Sequence, residues 1–143
     1  MSLPAPYVTL QKLRFCDTDA LGHVNNAVYA VMCEAGRAEL AIKCGLLAPE
    51  QGRAVVIARM ELDFLREMTW PGEVRVETEV ARLGTKSFRF HQRLIQDGTL
   101  VARALSVLAV IDTATRRAIP LTDAWRQALA PYAVAAADEA ARS

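Results

Sequence analysis

Hydrophobic and polar positions along the chain follow two different periods. Between Asn26 and about Gly45, apolar residues recur at intervals of three and four, at Val28, Val31, Met32, Ala35, Ala38 and Ile42. That period predicts a helix. Further apolar residues on its other faces predict that this helix is buried over much of its circumference, and Gly45 is a natural place for it to end.

Alternation of apolar and polar residues predicts strands before and after this helix. The expected strands cover residues 7–15, 54–65, 73–83, 86–96 and 100–111. In the second of these, one face is expected to hold Val56, Ala58, Met60, Leu62 and Phe64. Asp97-Gly98 predicts a hairpin turn. Thr122 or Asp123 predicts the cap of a last helix, and the Ala-rich end from Ala133 is typical of a fraying helix end.

These elements predict an α+β fold. The later strands are joined by short turns, which implies antiparallel pairing. One helix facing one large antiparallel sheet is a common layer arrangement, and a curved sheet wrapping the helix is the economical solution. A length of 143 residues fits a single domain over residues 1–143.

Composition excludes several classes of protein. Hydrophobic residues make up 52% and charged residues 23%, which excludes a mainly disordered chain. The net charge of +1 does not suggest a nucleic-acid partner. Three cysteines without a C-x-x-C pair and two distant histidines predict neither a disulfide framework nor a metal site, and Cys16 is expected to be a small buried residue. With no membrane span and no secretory signal in view, a cytoplasmic location is expected.

Candidate chemistry concentrates between Arg14 and Arg37, with the sequence RFCDTDALGHVNNAVYAVMCEAGR. Asp17 and Asp19 precede the predicted helix, and Gly22 permits a tight turn. A helix start presents free N–H groups and partial positive charge, which can polarise a carbonyl oxygen. An aspartate beside such a start can serve as a general base or as a nucleophile.

The run D-x-D-x-x-G-H-V-N-N-x-x-Y resembles the 4-hydroxybenzoyl-CoA thioesterase-like branch of the hotdog-fold family. The resemblance extends from about residue 7 to about residue 120, and Glu34 and Arg37 also match family positions. It implies a hotdog fold, in which an antiparallel sheet wraps one long central helix. It also implies an acyl-CoA thioesterase that hydrolyses a fatty or aromatic acyl-CoA to the free acid and coenzyme A.

Family roles transfer to individual positions through this resemblance. Asp19 matches the catalytic carboxylate, and the backbone N–H of Asn26 matches the group that polarises the thioester carbonyl. Lys86 and Ser87 match the turn that contacts coenzyme A, although Gly84 and Thr85 stand where some relatives carry two arginines.

Two further residues are candidates for substrate binding. His23 matches a histidine of the plant acyl carrier protein thioesterases, whose asparagine is replaced here by Leu21. A backbone-bonded structural role is the simpler expectation for His23. Tyr29 is a candidate for lining the acyl pocket, and core packing is the alternative.

The resemblance also implies how the protein assembles and what else it needs. The site is expected between two subunits of a homodimer or homotetramer, with coenzyme A as part of the substrate and no retained cofactor or metal. Two alternatives stay open. The first is a thioesterase acting on acyl carrier protein, and the second is a non-catalytic acyl-thioester sensor.

Overall fold

A computed structural model describes residues 6–47 and 51–134. Two helices and five strands form in these ranges. In chain order they are β1 (Tyr7–Lys12), α1 (Asn26–Lys43), β2 (Arg53–Phe64), β3 (Glu73–Leu83), β4 (Ser87–Gln96), β5 (Thr99–Asp112) and α2 (Asp123–Leu129). Short 3₁₀ turns lie at Phe15–Asp17 and Ala130–Tyr132. The predicted elements are therefore all present, with β1 ending three residues earlier than expected.

The strands form one antiparallel sheet in the order β1-β3-β4-β5-β2, which confirms the α+β class. Asp97 and Gly98 join β4 to β5 with φ of 50° and 77°, as the predicted hairpin turn requires. β1 and β2 lie at the two edges of the sheet. β2 is the longer edge strand, with 12 residues against 6 in β1.

Helix α1 packs on one face of the sheet, where it contacts β1, β3 and β4. Two core clusters lie along it. The first surrounds the start of α1 and includes Tyr29, Met68 and Leu94. The second surrounds its end and includes Leu40, Phe88 and α2 residues. The start and the end of α1 therefore mark the two ends of the sheet.

The buried face of α1 differs from the predicted stripe. Val31 and Ile42 are 57% and 65% exposed, so the helix is not buried over most of its circumference in this chain. The buried residues are Tyr29, Met32, Cys33, Gly36, Arg37, Leu40 and Ala41. A pattern of apolar residues misses Gly36, which has no side chain and lies close to Val76 and Gln92. It also misses Arg37, whose guanidinium donates to the polar side chains of Gln92 and Ser106.

The expected alternation in β2 is wrong over its first half. A bulge lies between Ile57 and Arg59, and Ala58 has no partner on β5. Because a bulge inserts one residue, it exchanges the two faces of a strand. Val55 packs against the core before the bulge, and Met60 and Leu62 do so after it. Phe64 is half exposed.

The predicted cap of the last helix is confirmed, and the predicted helical end after it is not seen at its first residue. The Thr122 hydroxyl accepts a hydrogen bond from the Trp125 N–H at 3.1 Å and so caps α2. The predicted fraying end falls mainly on residues 135–143, which lie outside the described residues. Its first residue, Ala133, bridges Val80 of β3 instead of continuing a helix.

Candidate active site

The segment before α1 begins with a buried acidic anchor at Asp17. Its carboxylate accepts hydrogen bonds from the Arg14 backbone N–H at 2.8 Å and from the Arg14 guanidinium at 3.0 Å. Burial acts to raise the pKa of Asp17, but the hydrogen bonds and the positive charge of Arg14 outweigh it and leave the pKa below its usual range. The Asp17 carbonyl also accepts from the Asn25 N–H at 2.8 Å, which fixes the segment at both ends.

Asp19 lies in an exposed turn closed by its own backbone. Its N–H donates to the His23 carbonyl at 2.7 Å, and Gly22 adopts a φ of 81° that favours glycine. Oδ1 of Asp19 accepts from the N–H groups of Leu21 and His23, at 2.9 and 3.1 Å. Asp19 is exposed, and among the described residues no group donates a hydrogen bond to its Oδ2.

The start of α1 lies directly after this turn. Asn25 is its N-cap, with Oδ1 accepting from the Ala27 N–H at 2.9 Å. Asn26 is the first helical residue, and an N–H at that position has no acceptor within a helix. A bridge between Thr18 and Val24 holds the Asp19 turn against the helix start. The structure thus brings the two predicted catalytic groups, the Asp19 carboxylate and the Asn26 amide, to one end of the molecule.

His23 and Tyr29 both contact the connection between β2 and β3. Nε2 of His23 lies 3.3 Å from a carboxylate oxygen of Glu67, so its side-chain partner is an acid and not the expected backbone group. Tyr29 is buried, and its hydroxyl donates to the Arg66 carbonyl at 3.1 Å and accepts from the Met68 N–H at 2.9 Å. These contacts fasten residues 66–68 to the turn and to the helix start. The sequence carried no signal for Glu67, because its role depends on how the β2–β3 connection folds back.

Lys86 and Ser87 lie at the opposite end of the sheet from Asp19. They line a pocket of about 380 Å³ at the β3–β4 turn, beside the second core cluster. Along β4, Ser87 is seven residues from Leu94, which packs near the helix start, and that separation is about 23 Å at ~3.3 Å per residue. One chain therefore does not bring the predicted coenzyme A contacts together with the Asp19 turn.

Two arginines that the sequence motif did not predict also line this pocket. Arg82 and Arg89 line it together with Lys86, and they pair directly across β3 and β4. Together the three residues give this pocket a positively charged lining, and guanidinium and ammonium groups are common partners of anions. Only the pairing register of β3 and β4 places these two arginines opposite each other, and the sequence pattern does not give that register.

The structure also bears on Cys16, on metal-binding groups and on membrane-spanning helices. Cys16 is exposed, which contradicts the expectation of a buried residue, because it lies on the outer side of the 3₁₀ turn. Over residues 6–47 and 51–134, no group of three or more His, Cys, Asp or Glu side chains is arranged to hold a metal ion. Nor does any helix in those ranges have the length and apolar character needed to cross a bilayer.

Comparison with known proteins decides the family. A family model described as the thioesterase-like superfamily matches residues 13–129. The chain belongs to the thioesterase-like superfamily. The hotdog thioesterase resemblance is thereby confirmed at the level of the family.

Individual relatives agree with this membership. The chain is similar to a 1,4-dihydroxy-2-naphthoyl-CoA hydrolase of Synechococcus elongatus, at 29% identity over 124 residues, which cover 83% of this chain and 91% of that protein. Among solved structures, a predicted thioesterase from Bacillus stearothermophilus is 31% identical with a TM-score of 0.84, covering 91% and 98% of the two chains. A thioesterase of Thermus thermophilus complexed with coenzyme A and zinc is 34% identical with a TM-score of 0.79, covering 87% and 98%.

Proposed function

We propose that the protein hydrolyses acyl-CoA thioesters at the Asp19 turn. The observation that supports this proposal is that the Asp19 turn directly precedes the start of α1, where Asn26 is the first helical residue. A thioester carbonyl held at the helix start would receive the Asn26 N–H, and its carbonyl carbon would face the carboxylate. Family membership and the named hydrolase relatives support the same reaction.

The proposed step begins when a nucleophile attacks the thioester carbonyl carbon. In one form Asp19 takes a proton from water, whose oxygen attacks; in the other, Oδ2 attacks directly and water then cleaves the resulting anhydride. The negative charge that develops on the carbonyl oxygen is stabilised by the Asn26 N–H and the positive end of α1. In the general-base form the carbon–sulfur bond then breaks, the acid is released, and the coenzyme A thiolate takes the proton held by Asp19. In the nucleophilic form the carbon–sulfur bond breaks as the anhydride forms, and water then releases the acid, restores the Asp19 carboxylate and supplies the proton for the thiolate. Coenzyme A is part of the substrate, and the proposal includes no retained cofactor or metal.

The proposed position for the phosphates of coenzyme A is the pocket lined by Arg82, Lys86 and Arg89. Guanidinium and ammonium groups are the usual phosphate partners.

This pocket and the Asp19 turn lie at opposite ends of one chain, so we propose that a second copy completes the site. Among the described strands β2 has no neighbour on its outer edge, and a second β2 is able to pair with the backbone groups of that edge. We also propose that the sheet curves around α1.

Similarity to the 1,4-dihydroxy-2-naphthoyl-CoA hydrolase of Synechococcus elongatus supports an aromatic acyl group as the substrate of this chain. The rival is hydrolysis of acyl groups held by acyl carrier protein, which share the pantetheine thioester but lack the adenosine phosphates. The Arg82–Lys86–Arg89 pocket favours the coenzyme A ester over this rival.

The test is thiol release from acetyl-, hexanoyl-, palmitoyl- and benzoyl-CoA, measured beside the same acyl groups on acyl carrier protein. We expect release from the coenzyme A esters, fastest with the aromatic ester. Release from the carrier-bound groups alone would favour the rival. Saturable binding of the esters without any release would favour a non-catalytic sensor.

A further inference from the structure

Helix α2 contacts the turn that joins β3 to β4. Trp125 and Leu129 anchor this helix, because both side chains are buried in the second core cluster. Between them, Arg126 reaches the turn, and its Nη2 donates to the Gly84 carbonyl at 2.6 Å and to the Thr85 carbonyl at 3.4 Å. Gly84 and Thr85 line the proposed phosphate pocket, whereas Arg126 does not. Arg126 therefore holds the turn from outside the pocket.

The carbonyl groups of Gly84, Thr85 and Lys86 all accept hydrogen bonds. Besides the contact from α2, the Leu121 N–H donates to the Thr85 carbonyl at 3.0 Å, and the Val110 N–H donates to the Lys86 carbonyl at 3.0 Å. These bonds fix the orientation of three successive peptide groups. The first of the three, which joins Gly84 to Thr85, is held through its carbonyl by α2.

The N–H groups of the same turn are in a different situation. Among the described residues, no acceptor receives a hydrogen bond from the Thr85 N–H or the Lys86 N–H. Both peptide groups are trans, so each N–H points opposite to the carbonyl before it. The Thr85 N–H therefore points away from Arg126, and the Lys86 N–H points away from Leu121. Successive N–H groups in a turn are a common arrangement for binding anions.

We propose that Arg126 is a positioning residue for coenzyme A binding, because it keeps the N–H groups of Thr85 and Lys86 directed at a phosphate in the Arg82–Lys86–Arg89 pocket. This inference rests on the proposed function. Arg126 donates to carbonyl groups and does not touch the phosphate. Without it, the peptide group between Gly84 and Thr85 can rotate, and a carbonyl oxygen then replaces an N–H on the side of the anion. The reaction at the Asp19 turn should not change, since that turn lies at the opposite end of the sheet.

Steady-state hydrolysis of benzoyl-CoA and of benzoyl-pantetheine by the full-length protein tests the proposal. The two thioesters share their acyl group and pantetheine arm, but benzoyl-pantetheine carries no phosphate. If another acyl group of the panel above is hydrolysed faster, its two thioesters replace the benzoyl pair. Arg126→Met removes the donors and keeps much of the side-chain length. It should raise KM for the coenzyme A ester about tenfold, while kcat and the KM for the pantetheine ester stay unchanged.

Arg117→Met is the matched control for the loss of one positive charge. Arg117 is an exposed arginine that precedes α2 and does not line the pocket. Its substitution should leave KM for both thioesters at the wild-type value.

Arg126→Gln covers the possibility that Arg126→Met does not fold. Glutamine is polar and favours helices, but its amide ends well short of the position of Nη2, so KM for the coenzyme A ester should rise by a similar factor. The inference is overturned if the folded variants keep wild-type KM, if KM rises equally for both thioesters, or if Arg117→Met raises it as much. A wild type that releases no thiol from any ester of the panel overturns the proposed function and this inference with it. Hydrolysis with unchanged KM in the Arg126 variants overturns this inference alone.

Discussion

At the scale of single residues, the Asp17 carboxylate and carbonyl hold the segment that carries Asp19 in place. The folded-state pKa of Asp17 lies below the ordinary value of 3.8, so its stabilising effect is present above about pH 4 and is lost as the pH falls through the folded-state pKa. Asp17→Asn should lower the free energy of unfolding by about 1 kcal/mol at pH 7, with the difference from wild type shrinking in strong acid. Urea unfolding at a series of pH values measures this.

The matched control is Asp63→Asn, which removes an exposed carboxylate whose ion pair with Arg103 is worth little. A loss of unfolding free energy in Asp17→Asn that is constant from neutral to strongly acidic pH would contradict the role assigned to this carboxylate.

The candidate residues around Asp17 could be predicted because their motif is local. Glu67, Arg82 and Arg89 could not be predicted in that way, because their positions depend on contacts distant in sequence.

At the scale of elements, Gly36 sets how closely α1 approaches the sheet. A Cβ at this position would lie 2.9 Å from Val76 Cγ1 and 3.0 Å from Gln92 Nε2. Valine is stiff in a strand and Gln92 is fixed by its hydrogen bonds, so neither moves cheaply. Overpacking costs about 1–3 kcal/mol, whereas alanine gains at most about 1 kcal/mol of helix propensity over glycine.

Gly36→Ala should therefore destabilise the protein by about 1 kcal/mol in urea unfolding. Val76→Ala in the same chain should relieve part of the clash, so that the two substitutions together cost less than the sum of their separate effects. A Gly36→Ala protein more stable than wild type would show that α1 does not need this close approach.

The helices and strands could be predicted because the periods of 3.6 and 2 residues persist over long runs of sequence. Which of their residues are buried could not be predicted in the same way. Ile57 and Arg59 flank a bulge that no alternation reveals, and Val31 and Ile42 are apolar yet exposed on α1. The buried face of α1 was missed because Arg37 packs on polar residues of the sheet, and hydrophobic periodicity carries no information about such a layer.

For the whole molecule, the separation of the Asp19 turn from the Lys86 pocket predicts a site shared between copies. Asp19→Asn and a chain carrying both Arg82→Gln and Lys86→Gln should each be nearly inactive at low substrate concentration. Mixed in equal amounts and reassembled, they should recover about a quarter of wild-type activity, because half of randomly formed two-fold dimers are mixed and each has one intact site. Mixtures that stay as inactive as their parents would indicate that each chain carries a complete site.

The most direct test of the central claim is the steady-state hydrolysis of benzoyl-CoA by wild type and Asp19→Asn, with urea unfolding of both proteins as the control for folding. Because Asn keeps the oxygen that accepts from Leu21 and His23, the turn should persist while the chemistry fails. We predict that kcat falls by about 10²-fold or more, the range for loss of a general base, with unfolding unchanged. A folded Asp19→Asn protein with near-normal kcat would contradict the assignment of Asp19 and of the site built around it.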